Sequence, residues 1–231
     1  MRKFFIVFFF LFFLISPIIL AQEAIPTLPP GQAWDQRGEI YSPRLLPTSP
    51  FYFLKKWKER LELTFAVNVG QKVAKRMEFA TRRLAEMNAV VKTNPEMIEE
   101  VAEDYQEELG LIEEKSNQLK KEGREELIEH VSEMTLKHQV VLLRIYENVP
   151  ESAKKGLENA MENSLKGHLQ AVESVSKEKK EEVLENLSEK HDEVIEKMDQ
   201  IKGEMGAGVR ERVEILKQMR EDREGEFPEE E

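Results

Sequence analysis

Four histidines, at 130, 138, 168 and 191, are the only imidazoles in this 231-residue chain, and no cysteine is present to supply a thiolate. Metal or acid–base chemistry would have to come from those rings and from carboxylates. Val149-Pro150-Glu151 reads as a turn between two long helical stretches. With the turn centred near residue 149, antiparallel packing sets residue 130 opposite residue 168. Glu126 and Glu133 lie about one helical turn either side of His130. The spacing therefore predicts a zinc or copper set of His130, His168, Glu126 and Glu133, against the plainer reading in which these histidines are structural or exposed. His138 and His191 fall on apolar seams and read as polar register markers or pH-sensitive packing residues.

Catalytic signatures are missing. There is no G-x-S-x-G, H-E-x-x-H or Walker-type loop. A di-iron bundle needs Glu three residues before His, and the residues at those positions are Leu127, Thr135, Leu165 and Ser188. Gly203-Glu-Met-Gly-Ala-Gly208 lacks a preceding strand and reads as a helix interruption. Carboxylate pairs are abundant, but they lie on highly charged helices with no apolar pocket in the pattern to raise a pKa. The expectation is a protein that is not an enzyme, with no catalytic residue and no cofactor.

A second candidate is an aromatic and basic segment. Between Lys55 and Arg83 nine basic side chains face only Glu59, Glu62 and Glu78, and Phe51, Tyr52, Phe53 and Trp57 lie on the first helix. Phe51, Tyr52, Trp57, Lys55, Lys56 and Lys58 are the candidate interaction residues. One reading lays residues 50–66 on a membrane surface, rings at headgroup depth and lysines on phosphates. The favoured one makes the aromatics an apolar plug that fastens the first helix to the rest, since Leu54, Leu61 and Phe65 continue the same face. Nucleic acid is not expected as a partner of a chain with net charge −11.

The elements that would position these residues are helices. Charged residues are 34% of the chain and aromatics 8%, and after residue 50 Glu, Lys, Leu, Ala and Arg dominate, a composition of long helices. Start signals at Ser49-Pro50, Asn94-Pro95-Glu96 and Val149-Pro150-Glu151, with breaks at Asn68, Gly70 and Gly123, predict helices over 50–66, 69–92, 95–121, 124–148, 150–174 and 177–202 and a looser one over 207–222. Ser49 and Asn94 are the expected side-chain caps. Leu127, Val131, Met134, His138, Val141 and Ile145 draw one seam; Leu157, Ala160, Ser164, His168, Ala171 and Val175 draw a second with small residues, predicting a close helical hairpin. Leu184, Leu187, His191, Val194, Met198 and Ile201 form heptads that need a helical partner, from this chain or by self-association through 177–202. The fold class is all-α: long antiparallel helices in a hairpin or bundle, with a coiled-coil-like C-terminal part.

Arg2 and Lys3 precede an apolar run from Phe4 to Ile15, then Pro17 and Ala21, the pattern of an export signal peptide over 1–21, cleaved after Ala21 or kept as an anchor helix. Localisation is accordingly periplasm, cell surface or extracellular. Six of the ten prolines fall between Pro26 and Pro50, so 22–49 reads as a semi-rigid linker. A helical domain over 50–175, coiled-coil-like helices over 176–222 and an acidic tail over 223–231 complete the organisation. Charge is uneven: residues 22–95 carry 12 basic and 7 acidic side chains, whereas 96–231 carry 20 basic and 38 acidic. Either the basic helices pack on acidic helices of the same chain or they meet an anionic partner.

Leu46-Pro47-Thr48-Ser49-Pro50-Phe51-Tyr52-Phe53-Leu54-Lys55-Lys56-Trp57-Lys58-Glu59-Arg60, followed by Arg83-Leu84-Ala85-Glu86, resembles a bacterial family catalogued as domain of unknown function 5667, over residues 46 to about 145. The resemblance implies an extracytoplasmic helical domain and no catalytic residues. Together these readings predict an exported, non-catalytic helical protein of the bacterial cell envelope that acts by protein–protein contact or at a membrane surface. A periplasmic chaperone or stress-response binder, and a metal-binding sensor using His130 and His168, are the alternatives.

Overall fold

The computed structural model describes residues 40–226. The leader, most of the linker and the end of the acidic tail lie outside them. Eight α-helices fill the described residues: α1 Tyr52–Phe65, α2 Val69–Val90, α3 Ile98–Lys121, α4 Glu125–Tyr146, α5 Glu151–Ser174, α6 Lys177–Asn186, α7 Ser188–Ile201 and α8 Ala207–Glu226. A 3-10 turn at Pro95–Met97 leads into α3. The heptad stretch expected as one helix over 177–202 is two, α6 and α7, with a break at Leu187.

Local chemistry sets the boundaries. Asn68 caps α2 by accepting the Gln71 N–H at 2.8 Å. Gly123, with φ +67°, ends α3 in the left-handed conformation that lets the chain turn into α4. The caps expected at Ser49 and Asn94 do not form: Phe51 and Met97 hold the N-cap positions of α1 and α3, without side-chain capping bonds. Ser49 Oγ instead accepts the Phe51 N–H at 3.3 Å, and Asn94 donates to Glu96.

Pairwise contacts reveal the helix directions. Gln139–Met161, Thr135–Ser164 and Ser132–His168 keep a nearly constant index sum, so α4 and α5 are antiparallel. Asn163–Gln106 and Gln170–Glu113 keep a constant difference, so α3 and α5 run parallel. Lys202–Glu214, Lys217–Asp199 and Arg220–Asp192 make α7 and α8 an antiparallel hairpin. The helices from α2 to α5 thus form an up-and-down bundle, with the α7–α8 hairpin laid against α4 and α5. Helices α3 and α5 come close at Gly156, where a Cβ would just touch Glu99 Cα at 3.4 Å and leave no room for a larger side chain.

One apolar cluster runs from Ile40 through Met77, Leu84, Tyr105, Leu142, Leu157 and Val194 to Leu216. Both seams of the α4–α5 hairpin are buried along their length. So are Leu187, His191, Val194 and Met198, with Leu184 and Ile201 packed at the edge of the cluster. Within this chain the heptads pack against α4, α5 and α8. The helices beyond residue 175 share this core.

Candidate interaction surface on the first helix

Helix α1 is amphipathic in an inverted sense. Its polar side faces the bundle. Tyr52 donates its hydroxyl proton to Glu86 Oε2 at 2.7 Å, and Lys55 pairs with the other Glu86 oxygen. Arg83 donates to Tyr52 Oη at 3.1 Å and to both Glu86 oxygens at 3.1 and 3.2 Å, and it also pairs with Glu59. Arg82 reaches Glu59 at 3.3 Å, and Lys56 reaches Asp104 on α3 at 2.7 Å. Arg83, Glu86 and Glu59 are nearly sealed from water. A buried ion cluster of this kind holds only because each charge has several partners.

The electrostatics agree with that geometry. Burial works against the Arg83 cation, but Glu86 and Glu59 outweigh it and hold its pKa above the usual value. Burial, reinforced by Glu86, pushes the Tyr52 phenol up, so it stays a donor. Burial lowers the Lys55 pKa against the pull of Glu86. Arg76–Glu108 at 2.7 Å and Arg83–Asp104 at 3.7 Å link α2 to α3. Much of the basic segment is thus neutralised by acidic residues of the same chain.

The apolar side of α1 faces outward. Phe51, Phe53, Trp57 and Phe65 are 60–77% exposed, with Leu54, Leu61 and Val67 beside them. In helical projection Phe53, Trp57, Leu61, Leu54 and Phe65 share an arc of roughly 120°. Lys58 and Arg60, both exposed, border the arc on opposite sides. The aromatic plug expected to fasten α1 is therefore absent; Tyr52 alone of these aromatics is buried, and the polar network does the fastening. Apolar periodicity marks a face but not which way it points, and only the partners Arg83, Glu86 and Asp104 decide that. Of the candidate residues, Phe51, Trp57 and Lys58 lie on the exposed side, whereas Tyr52, Lys55 and Lys56 belong to the clasp.

The expected metal set does not assemble. Its hairpin is real, but the α4–α5 contacts centre it on residue 150, which places Ser132 opposite His168. His168 Nδ1 lies 3.0 Å from the Ser132 carbonyl, and its Nε2 lies 2.8 Å from His191 Nε2. His130 sits apart on α4, 3.9 Å from Glu133. Among the described residues no three His, Cys, Asp or Glu side chains converge as a metal would need.

The buried imidazoles instead link helices. Thr81 commits its proton to the Met77 carbonyl, so it accepts from His138 Nε2 at 2.9 Å, while His138 Nδ1 accepts from Tyr105 at 3.0 Å. Burial pushes His138 down to about 3, and burial lowers His168 and His191 as well. The seam positions of His138 and His191 signalled packing roles; the His168–His191 contact between α5 and α7 had no local signal.

Residues 44–152 match the family model described as domain of unknown function (DUF5667). No curated protein and no solved structure matches the chain. The matched stretch holds α1 to α4 and stops at the start of α5, although Leu157, Ala160 and Leu165 of α5 complete the same core. The folded unit is larger than the matched stretch.

Proposed function

We propose, for a chain that belongs through residues 44–152 to the family described as domain of unknown function (DUF5667), that it is an exported, non-catalytic helical protein of the bacterial cell envelope whose working surface is the outward face of α1. The observation that carries this reading is the exposure of Phe53, Trp57, Leu61 and Phe65 on a helix held by its polar side. A helix free to choose would bury the rings and expose the charges. Here a buried ion cluster holds the opposite orientation, at a desolvation cost that an idle surface helix would not need. A contiguous apolar patch rimmed by charge is the usual mark of a contact surface. Export rests on the Arg2-Lys3, Phe4–Ile15 and Ala21 pattern of the sequence.

A photo-crosslinking residue placed at Phe53 or Phe65 in the producing bacterium tests the reading, with the exposed position Glu211 on α8 as control. Adducts with a protein or a lipid from the α1 positions and none from the control are expected, in a chain whose N-terminus sequences to Gln22 or retains the leader. No adduct at either α1 position, or recovery of the chain in the cytosol, would overturn it. A chaperone would need an apolar concavity, and the exposed stripe is the convex side of one helix, so that alternative gains no support.

A further inference from the structure

The arc on α1 has a shape and a border that select among occupants. It runs the length of a 14-residue helix, about 21 Å, as a single convex stripe. Lys58 and Arg60 border it on opposite sides; Glu62 lies 3.6 Å from Lys58 but is shared with Lys75 and Arg82, and the Lys58 side chain stays 73% exposed. A second copy packed helix to helix would bring basic border against basic border in either direction, so self-association is disfavoured by its own charges. An anionic counterpart meets both borders at once.

Ring chemistry narrows the counterpart further. Phe53, Trp57 and Phe65 suit the depth of phospholipid headgroups, with the stems of Lys58 and Arg60 reaching phosphates. Helix α1 is too short and too charged to span a bilayer, and among the described residues no helix is long and apolar enough to cross one. The acidic balance of residues 96–231 would repel the bulk of the bundle from an anionic surface and leave the α1 edge as the side that approaches. The polar clasp then has a purpose: it keeps the stripe facing outward before contact.

Resting on the reading of α1 as the working surface, we infer that this helix docks in the plane of an anionic phospholipid bilayer, inserting Phe53, Trp57, Leu61 and Phe65 with Lys58 and Arg60 on the headgroup phosphates. The leader is not required for this contact.

The test uses residues 22–231, which contain the whole apolar cluster, with Trp34→Phe so that Trp57 is the sole indole. Vesicles of phosphatidylglycerol and phosphatidylcholine should float with the protein and shift Trp57 emission to the blue; pure phosphatidylcholine should do neither. Salt at ~1 M should release the protein. Lys58→Gln with Arg60→Gln should weaken binding roughly thirtyfold, from about 1 kcal/mol per cation at the surface. Leu61→Glu should abolish the shift with unchanged thermal melting, since the side chain is already solvent-facing. Binding that ignores lipid charge, binding that survives Leu61→Glu, or no binding at all would overturn the inference. If vesicles fail while crosslinks at Phe53 trap a protein, the working-surface reading stands and its partner is a protein. If sedimentation instead shows a dimer that Leu61→Glu dissolves, the occupant is a second copy and the inference falls.

Discussion

His168 and His191 meet Nε2 to Nε2 at 2.8 Å between α5 and α7, and one proton must serve both nitrogens. The carbonyl and the hydroxyl of Ser132 both lie 3.0 Å from His168 Nδ1; the carbonyl can only accept and the hydroxyl can do either, so both contacts are met when His168 donates from Nδ1 and presents a bare Nε2 to the N–H of His191. Both rings are neutral in this arrangement. A second proton would leave two N–H groups facing each other.

Stability should therefore fall on acidification. His138, His168 and His191 have folded pKa values below the ordinary 6.5, so the unfolded chain takes up protons first as pH drops through that value. Their contribution is whole above pH 6.5 and is lost progressively below it, down to about 3 for His138. Each ring accounts for up to about 1.4 kcal/mol per pH unit. Urea midpoints at pH 7 and pH 5 check this, and a flatter profile is expected for His191→Phe. Equal midpoints at the two pH values would refute it.

Removing Arg83 should be among the most damaging single changes. Arg83→Ala strands Glu86 and Glu59 without their shared cation in a region closed to water. Glu86 keeps Lys55 and Tyr52 and Glu59 keeps Arg82, so a loss of about 3 kcal/mol is expected from two buried carboxylates left with fewer partners rather than with none. Hydrogen exchange should quicken first in α1, which the cluster holds, and later in α4. Uniform acceleration would show that α1 is not separately held.

Two glycines should respond to alanine or valine for different reasons. Gly123→Ala meets no atom within 4 Å but forces φ +67° on a residue with a Cβ, costing about 1 kcal/mol. Gly156→Val presses branched carbons on Glu99 Cα, backbone of α3 that cannot rotate away. Overpacking of about 1–3 kcal/mol is expected there. Thermal melting of both variants ranks them, and Gly156→Val should melt lower.

Val194→Asp distinguishes an internal seam from an oligomer seam. Val194 is fully buried within the chain, so an unpaired carboxylate there should lower the melting temperature by the same amount at any protein concentration. A melting temperature that rises with concentration in the parent chain, and not in the variant, would show self-association through the 177–202 heptads.

Most of the fold was legible along the chain. Prolines 95 and 150, Asn68 and Gly123 punctuate at their own positions because turn and cap chemistry is local, and the seams of α4 and α5 were visible because a 3.6-residue period needs no partner to be seen. The break at Leu187 was not, since the heptads continue through it without glycine or proline. Contacts between helices were harder. Moving the hairpin centre from 149 to 150 exchanges His130 for Ser132 opposite His168 and dissolves the expected metal set. Periodicity constrains which residues share a face; register depends on the geometry of one turn.

The aromatic and basic first helix shows the same division. The sequence alone determined that Phe53, Trp57, Leu61 and Phe65 share a face and that Tyr52, Lys55, Lys56 and Glu59 share another, because helical spacing dictates both. Which face turned inward was decided only in three dimensions, by Arg83 and Glu86 on α2 and Asp104 on α3. Burial of an apolar face is the default when any apolar surface is available to cover it. A buried cluster of mutually paired charges overrides that default, and its members come from helices separated by up to about fifty residues of chain, so their meeting is a property of packing rather than of pattern.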